Sequence, residues 1–161
     1  MLETILFTTS VVLVLAASYW VSATKKQIYK RTRSFEKWKT QEDLPRALET
    51  ASLYSIEKEI SITEPVPLYG QADQVFQVRN GDLIIVDTKT RKHHQVHDSD
   101  IAQLSVYAAI LRLAEGETVS PYGYIRTVVN HGSYDSIHYT KVKLLSTQAV
   151  ITRAKKIMQQ E

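Results

Sequence analysis

Two short runs in the middle of the chain hold acidic residues at a spacing that lets them act together. Asp73 ends the run Gly70-Gln71-Ala72-Asp73, and Asp87 opens the run Asp87-Thr88-Lys89. Two carboxylates that converge on one point make a hard oxygen site suited to Mg²⁺ or Mn²⁺. Lys89 is two residues beyond Asp87, so both project from the same face of a strand. A lysine there can orient or activate water and neutralise charge on phosphate, which supports metal-assisted phosphodiester hydrolysis.

A second polar pair follows in the run Gln103-Leu104-Ser105-Val106-Tyr107. Gln103 and Tyr107 are four positions apart, one helical turn, and therefore share a helix face. Their amide and phenol could hold a substrate or brace the site. Taken singly, these residues also suit ordinary roles, such as an ion pair at a strand end or helix-surface positions. Their order, with a hairpin between the acids and a helix just after, favours a site.

The elements that must position these residues follow from hydrophobic periodicity. The pattern predicts a helix at 45–52, strands at 54–62, 69–78 and 83–86, a helix at 98–114, strands at 122–129 and 136–144, and a helix at 147–159. This order is typical of an α/β domain with a mixed sheet. Asn80-Gly81 predicts a two-residue hairpin turn, which puts Asp73 and Asp87 nearly opposite each other. The run 83–86 is entirely apolar, as in a strand buried on both faces, so an acid at its end needs a metal or charged partner.

Composition excludes several classes of protein. The 161 residues contain no cysteine, which excludes disulfides, thiolate zinc sites, iron–sulfur clusters and cysteine nucleophiles. The formal charge of +3 gives no support for DNA binding, because the basic residues are concentrated in one segment. Residues 24–40 hold seven Lys or Arg and one acid, whereas 41–161 hold thirteen Lys or Arg and fifteen acids.

The N-terminus predicts a single-pass membrane anchor. Residues 5–23 carry no charge, enough for a helix to cross the roughly 30 Å hydrocarbon core. The basic residues that follow place the C-terminal domain in the cytoplasm by the positive-inside rule. A cleaved signal peptide ending at Val21-Ser22-Ala23 is the alternative, although the start lacks a positive n-region. The predicted organisation is an anchor at 1–23, a basic juxtamembrane linker at 24–44 and a globular domain at 45–161.

The three runs look like motifs II and III and the QxxxY motif of the PD-(D/E)XK nuclease superfamily, and most resemble its RecB-type and CRISPR-associated exonuclease-like branch. The resemblance covers roughly residues 45–145. It implies a restriction-endonuclease-like αβββα core and a DNA nuclease that depends on Mg²⁺ or Mn²⁺. Asp73 and Asp87 would be catalytic metal ligands, with the Thr88 carbonyl as a further ligand. Lys89 would be the catalytic lysine, and Gln103 and Tyr107 would contact substrate.

The chain departs from the family pattern in its additional ligand. Related exonucleases often carry a histidine or glutamate in the first helix, whereas no histidine precedes His93 here. Glu49 on the predicted helix and Glu57 on the first strand are the candidates, with Glu49 narrowly preferred. The missing ligand and the acidic domain leave open a catalytically inactive nuclease-fold module that binds nucleic acid or assembles at the membrane.

Three histidines lie close together in the loop before the second long helix. His93, His94 and His97 have a spacing that resembles metal ligands, but no other structural zinc partners are present in the sequence. Contact with a DNA backbone and plain solvation are the alternatives to a zinc site.

Overall fold

The computed structural model describes residues 42–160, and its globular domain begins at Asp43. The predicted anchor at 5–23 and nearly all of the predicted linker at 24–44 lie outside the described residues. Between residues 42 and 160, no helix is both long enough and apolar enough to cross a membrane.

The described domain is an α/β fold built on one five-stranded mixed sheet. Its elements in chain order are α1 (Arg46–Glu49), β1 (Ser52–Ile62), β2 (Leu68–Gln77), β3 (Leu83–Thr90), α2 (Asp98–Ala114), β4 (Tyr122–Asn130), β5 (Asp135–Lys143) and α3 (Thr147–Met158). The strands lie side by side in the order β1-β2-β3-β4-β5. All neighbours are antiparallel except β3 and β4, which are parallel. The predicted element order and mixed sheet are confirmed.

The first helix is shorter than predicted. It covers four residues rather than the predicted span 45–52, and Pro45 occupies the N-cap position. Ser52 already pairs with Gln77 in the sheet, so the chain must leave the helix before it. Leu48 is fully buried and holds this short helix against the domain.

The hairpin between β2 and β3 closes on three residues, 79–81, rather than on the predicted two-residue turn. The Val78 amide donates to the Asp82 carbonyl at 3.0 Å, which closes the end of the ladder. Gly81 has φ +90°, a left-handed conformation that glycine adopts without a steric penalty. Three-residue hairpin loops commonly place such a residue at this position.

The loop length sets the register of the two acids. The ladder between β2 and β3 is in register at Gln74↔Val86. Continued by one position, that register places Asp73 directly opposite Asp87. A two-residue turn would have offset them by one position, so the extra loop residue improves the opposition that the sequence predicts.

Helix α2 packs over the sheet and forms the main core with it. Four of its fully buried apolar side chains belong to this core: Leu104, Ala108, Ile110 and Leu111. They cluster with Ile85 of β3 and Ile125 of β4. Burying each large aliphatic side chain contributes roughly 1.5–3 kcal/mol, which anchors the helix against the strands.

The parallel pairing of β3 with β4 requires a crossover, and α2 supplies it. Residues 91–97 connect the end of β3 to the start of the helix. Because this connection is short, the first turns of α2 begin beside the carboxyl end of β3. Lys89 therefore meets a side chain from the N-terminal half of α2.

Candidate active site

Asp87 is a buried carboxylate at the end of the apolar part of β3. Its residue surface is only 2% exposed. Lys89 Nζ lies 2.7 Å from Asp87 Oδ2 and forms an ion pair with it, and within residues 42–160 this ammonium is the one partner of that oxygen. Burial raises the pKa of Asp87, Lys89 lowers it, and the nearby Asp73 carboxylate raises it again; the net direction is upward. The ionised form of Asp87 is thus only partly compensated.

Asp73 is joined to the same strand through its side chain. The Thr88 amide donates to Asp73 Oδ2 at 2.8 Å. The backbone pairing of β2 with β3 ends one residue away, at Gln74↔Val86. The Asp73 carboxylate thus accepts a hydrogen bond from a backbone amide that lies beyond the last paired residues of β2 and β3. This bond holds the carboxylate near Asp87.

Lys89 leads from the acids to helix α2. Its ammonium donates to Gln103 Oε1 at 2.8 Å, and Gln103 Nε2 donates to the Tyr107 hydroxyl. Gln103 and Tyr107 therefore share a helix face, as predicted, and they brace the lysine. The Lys89 side chain is 24% exposed, so it remains within reach of a ligand in solvent.

Gly70 packs against the ring of Tyr107, at the end of the chain of contacts from Lys89 through Gln103 to Tyr107. A Cβ built there would lie 2.3 Å from Cε1 and 2.9 Å from Cδ1 of the Tyr107 ring. No side chain fits between β2 and that ring, which gives the glycine of the first run a packing reason. The predicted residues of all three runs are thus gathered on β2, β3 and α2 in one connected group.

A second buried acid, Asp100, was missed by sequence reasoning. Arg91 Nη2 lies 2.7 Å from Asp100 Oδ1, and the His97 amide donates to Asp100 Oδ2 at 2.8 Å. Burial by itself raises the pKa of Asp100. The hydrogen bonds from Arg91 and from the His97 amide together lower it by more than burial raises it, so the net direction is downward. An acid at the third position of a helix is a capping-box signal that could have identified it.

Neither candidate for the additional acidic ligand completes a cluster. Glu49 on α1 and Glu57 on β1 are both exposed, and within residues 42–160 no group of three His, Cys, Asp or Glu could hold a metal. Glu57 is nonetheless close in register, because the pairs Ile56↔Gln74 and Lys58↔Ala72 flank the position opposite Asp73. It also has φ +47°, an unusual conformation for a non-glycine residue in a strand.

The histidine loop is held by hydrogen bonds. Nδ1 of His94 lies 2.7 Å from the Thr127 hydroxyl, and Nε2 lies 2.9 Å from the Ser136 hydroxyl. His97 serves as the N-cap residue of α2. Within residues 42–160, the three histidines of this loop do not form a group that could hold a metal ion. A zinc site here therefore gains no support.

The two acids have the chemistry of a divalent-cation site. Asp87 presents a buried carboxylate whose charge Lys89 offsets only in part, and Asp73 presents a second carboxylate nearby. A hard cation would offset the remaining cost of burial and the repulsion between the two carboxylates. Thr88 lies between Asp87 and Lys89 on β3, which suits the predicted role of its carbonyl. The residues present therefore fit Mg²⁺ or Mn²⁺.

An α/β domain with a five-stranded mixed sheet and an acid–acid–lysine group on adjacent strands is consistent with a restriction-endonuclease-like core. A family model described as the PD-(D/E)XK nuclease superfamily matches residues 3–160. The chain belongs to this superfamily. Its assignment to the RecB-type or CRISPR-associated branch stays a prediction.

Other comparisons add little to the family assignment. None of the curated proteins matches the chain. A solved structure entitled "Crystal structure of SSO0001" is similar with 16% identity and a TM-score of 0.42, over 66% of this chain and 50% of that one. The chain thus spans about half the length of that structure.

Proposed function

We propose that this chain is a divalent-metal-dependent nuclease that hydrolyses phosphodiester bonds in DNA. The observation that carries the proposal is the placement of Asp73, Asp87 and Lys89 on adjacent strands. Lys89 Nζ lies 2.7 Å from Asp87 Oδ2, and Asp73 Oδ2 accepts from the Thr88 amide at 2.8 Å. Membership of a superfamily of nucleases supports the reaction class. The metal and the DNA substrate rest on the chemistry of the donors.

The acids and the lysine have separate roles in this proposal. Asp73, Asp87 and the Thr88 carbonyl would hold Mg²⁺ or Mn²⁺, which when bound supplies Lewis-acid activation of the phosphate and of water. Lys89 points its ammonium at the same place, where it attracts the scissile phosphate and offsets the charge that develops there. Glu57 is the better candidate for an additional ligand than Glu49, because it neighbours Asp73 in the strand register.

Gln103 and Tyr107 position the lysine. The amide oxygen of Gln103 accepts from Lys89, and its amide nitrogen is held by the Tyr107 hydroxyl. This arrangement would keep the ammonium near Asp87 in a site where the two acids hold a metal. Holding a charged group in place before the reaction is the main way such sites lower a barrier.

The proposal includes attachment to a membrane, with residues 5–23 as a single span and the domain in the cytoplasm. It is supported by the uncharged nineteen-residue segment and the basic residues that follow it. Extraction of membranes with alkaline carbonate should leave the chain in the pellet. Release into the supernatant, or a mature N-terminus near Thr24, would contradict this part of the proposal.

A second candidate is a catalytically inactive nuclease-fold module that binds nucleic acid or assembles at the membrane. It is favoured by the absence, within residues 42–160, of a third acid grouped with Asp73 and Asp87. Such a module would bind DNA without any loss of substrate in Mg²⁺ or Mn²⁺.

A cleavage assay separates the two candidates. The purified full chain is incubated with linear and circular DNA in Mg²⁺, Mn²⁺ or EDTA. Asp87→Ala should abolish cleavage, and Lys89→Ala should slow it about 10²- to 10³-fold, the usual loss when one electrostatic group is removed. Glu64→Gln, an exposed acid between β1 and β2, is the matched control. Equal loss of DNA with wild type and Asp87→Ala would refute the nuclease proposal.

A further inference from the structure

A cavity opens between the end of β1 and the start of β2, beside the candidate active site. Its volume is about 560 Å³. The described residues that line it are Glu59, Ile60, Ser61, Tyr69, Gly70 and Gln71. None of the roles assigned above uses this cavity. We infer that it receives an unpaired nucleobase of the substrate, stacked on Tyr69; this inference rests on the proposed function.

Tyr69 is the reason to expect a planar occupant. It is 86% exposed, the highest value among the large hydrophobic side chains of the described domain. A singly exposed aromatic residue is unremarkable, but this one lines a cavity large enough for a base. Stacking of a nucleobase on an aromatic ring is the common way in which proteins hold single-stranded nucleic acid.

The polar groups of the lining suit a base and oppose a phosphate. Among the described lining residues there is no lysine or arginine, and Glu59 contributes a negative charge. A carboxylate accepts hydrogen bonds from the exocyclic amino groups of bases, whereas it repels a phosphate. Ser61 adds a hydroxyl, and Gln71 is fixed at the edge because its amide donates to the Glu57 carbonyl at 3.0 Å. The cavity is therefore matched to a base edge.

Gly70 belongs both to the cavity lining and to the contact with the candidate active site. Gly70 lines the cavity and lies against the Tyr107 ring, whose hydroxyl is joined through Gln103 to Lys89. Along β2, Tyr69 precedes Asp73 by four residues, roughly 13 Å at the rise of an extended strand. A strand of a few nucleotides can therefore reach from the cavity to the acids.

The consequence is a preference for substrates that expose bases. A base within a duplex is paired and stacked on both faces, so it must be extruded before it can enter a pocket. A single strand or a frayed end presents its bases without that penalty. The substrate class that the cavity selects is single-stranded or end-frayed nucleic acid.

The test uses binding in EDTA, so that cleavage does not enter. The full chain is titrated into a single-stranded oligonucleotide with 2-aminopurine at successive positions, and into a matched blunt hairpin duplex. Wild type should quench the fluorescence at one position and bind the single strand more tightly. Tyr69→Ala should lose that quenching and weaken single-strand binding about tenfold, whereas Tyr69→Phe retains both.

Tyr134→Ala is the matched control, since Tyr134 is also exposed but lies in the turn between β4 and β5. The inference is overturned when Tyr69→Ala quenches as wild type does, or when it weakens single-strand and duplex binding equally. If cleavage depends on Asp87 but the quenching does not depend on Tyr69, the cavity inference is refuted and the nuclease proposal stands. Quenching that depends on Tyr69 in a chain that cleaves nothing supports the cavity and refutes the nuclease proposal.

Discussion

Asp87→Asn should make the domain more stable in the absence of metal. The carboxyl is 2% exposed, and within residues 42–160 Lys89 is the one partner of its Oδ2. Burial and the Asp73 carboxylate outweigh Lys89, so the pKa of Asp87 is raised. Lys89 keeps its bond to Gln103 and some solvent after the substitution. We expect a gain of about 1 kcal/mol, the low end of the penalty for a buried polar group that its partners do not fully satisfy.

The pH dependence of that gain has a definite sign. A carboxyl with a raised folded pKa contributes stability below the unfolded value near 3.9, and loses it as pH rises through the folded pKa. In wild type the Asp87 carboxylate is therefore ionised, and only partly compensated by Lys89, at pH 7, whereas it is neutral at acidic pH. The advantage of Asp87→Asn should be present at pH 7 and shrink toward pH 4.

Divalent metal should reverse the order of the two proteins. A cation at tenfold excess over its dissociation constant stabilises the form that binds it by about 1.4 kcal/mol. In a domain of this size that corresponds to a rise in Tm of about 5 °C. Wild type should show the rise in Mg²⁺ or Mn²⁺, whereas Asp87→Asn should show little, because it lacks one of the two carboxylates.

Thermal unfolding followed by circular dichroism measures all three effects on the full chain. The melting of wild type, Asp87→Asn and the control Glu64→Gln is recorded at pH 7 and pH 4. Each protein is measured in EDTA and in Mg²⁺ whose concentration is raised in tenfold steps. A lower Tm for Asp87→Asn in EDTA at pH 7 would show that the ion pair outweighs burial. Equal metal-dependent shifts in the two proteins would refute Asp87 as a ligand.

Two further substitutions test the packing around the site. Gly70→Ala should destabilise the domain by about 1–3 kcal/mol, because its Cβ would overlap the Tyr107 ring, and adding Tyr107→Leu should restore part of the loss; strictly additive losses in urea unfolding would contradict the clash. Asp100→Asn should cost about 2 kcal/mol at pH 7, since it breaks the 2.7 Å pair with Arg91. The pKa of Asp100 is lowered, so its contribution is present above the unfolded value and is lost as pH falls. A gap between the two proteins that stays constant down to pH 3 would refute this assignment.

Most of the fold could be predicted because its elements carry strong local patterns. The alternating residues of β1 and the apolar run of β3 identify strands, and the two broad apolar faces of α2 identify a long helix. The exceptions are the places where pairing with a distant strand decides the boundary. The first helix ends early because Ser52 pairs with Gln77, and the β2–β3 loop takes three residues because Val78 pairs with Asp82.

The candidate site was predictable where one hairpin and one helix turn suffice. The opposition of Asp73 and Asp87 follows from their distance to the turn, and the pairing of Gln103 with Tyr107 follows from the helical repeat. The Arg91–Asp100 pair has no local sequence pattern, because it joins a loop to a helix. The cavity beside Tyr69 is formed where Glu59 and Ser61 of β1 pair with Gln71 and Tyr69 of β2, and no local pattern reports this pairing of two strands.

The sequence by itself determined the class of domain, the order of its elements and the residue types available for chemistry. Those features depend on periodicity and on motifs a few residues long, and each is local. Only the tertiary structure decided that Lys89 bridges Asp87 to Gln103, that position 70 has no room for a side chain next to Tyr107, and that the Asp87 carboxylate is buried. These contacts join residues on different elements, so their distances and burial depend on packing across the whole sheet.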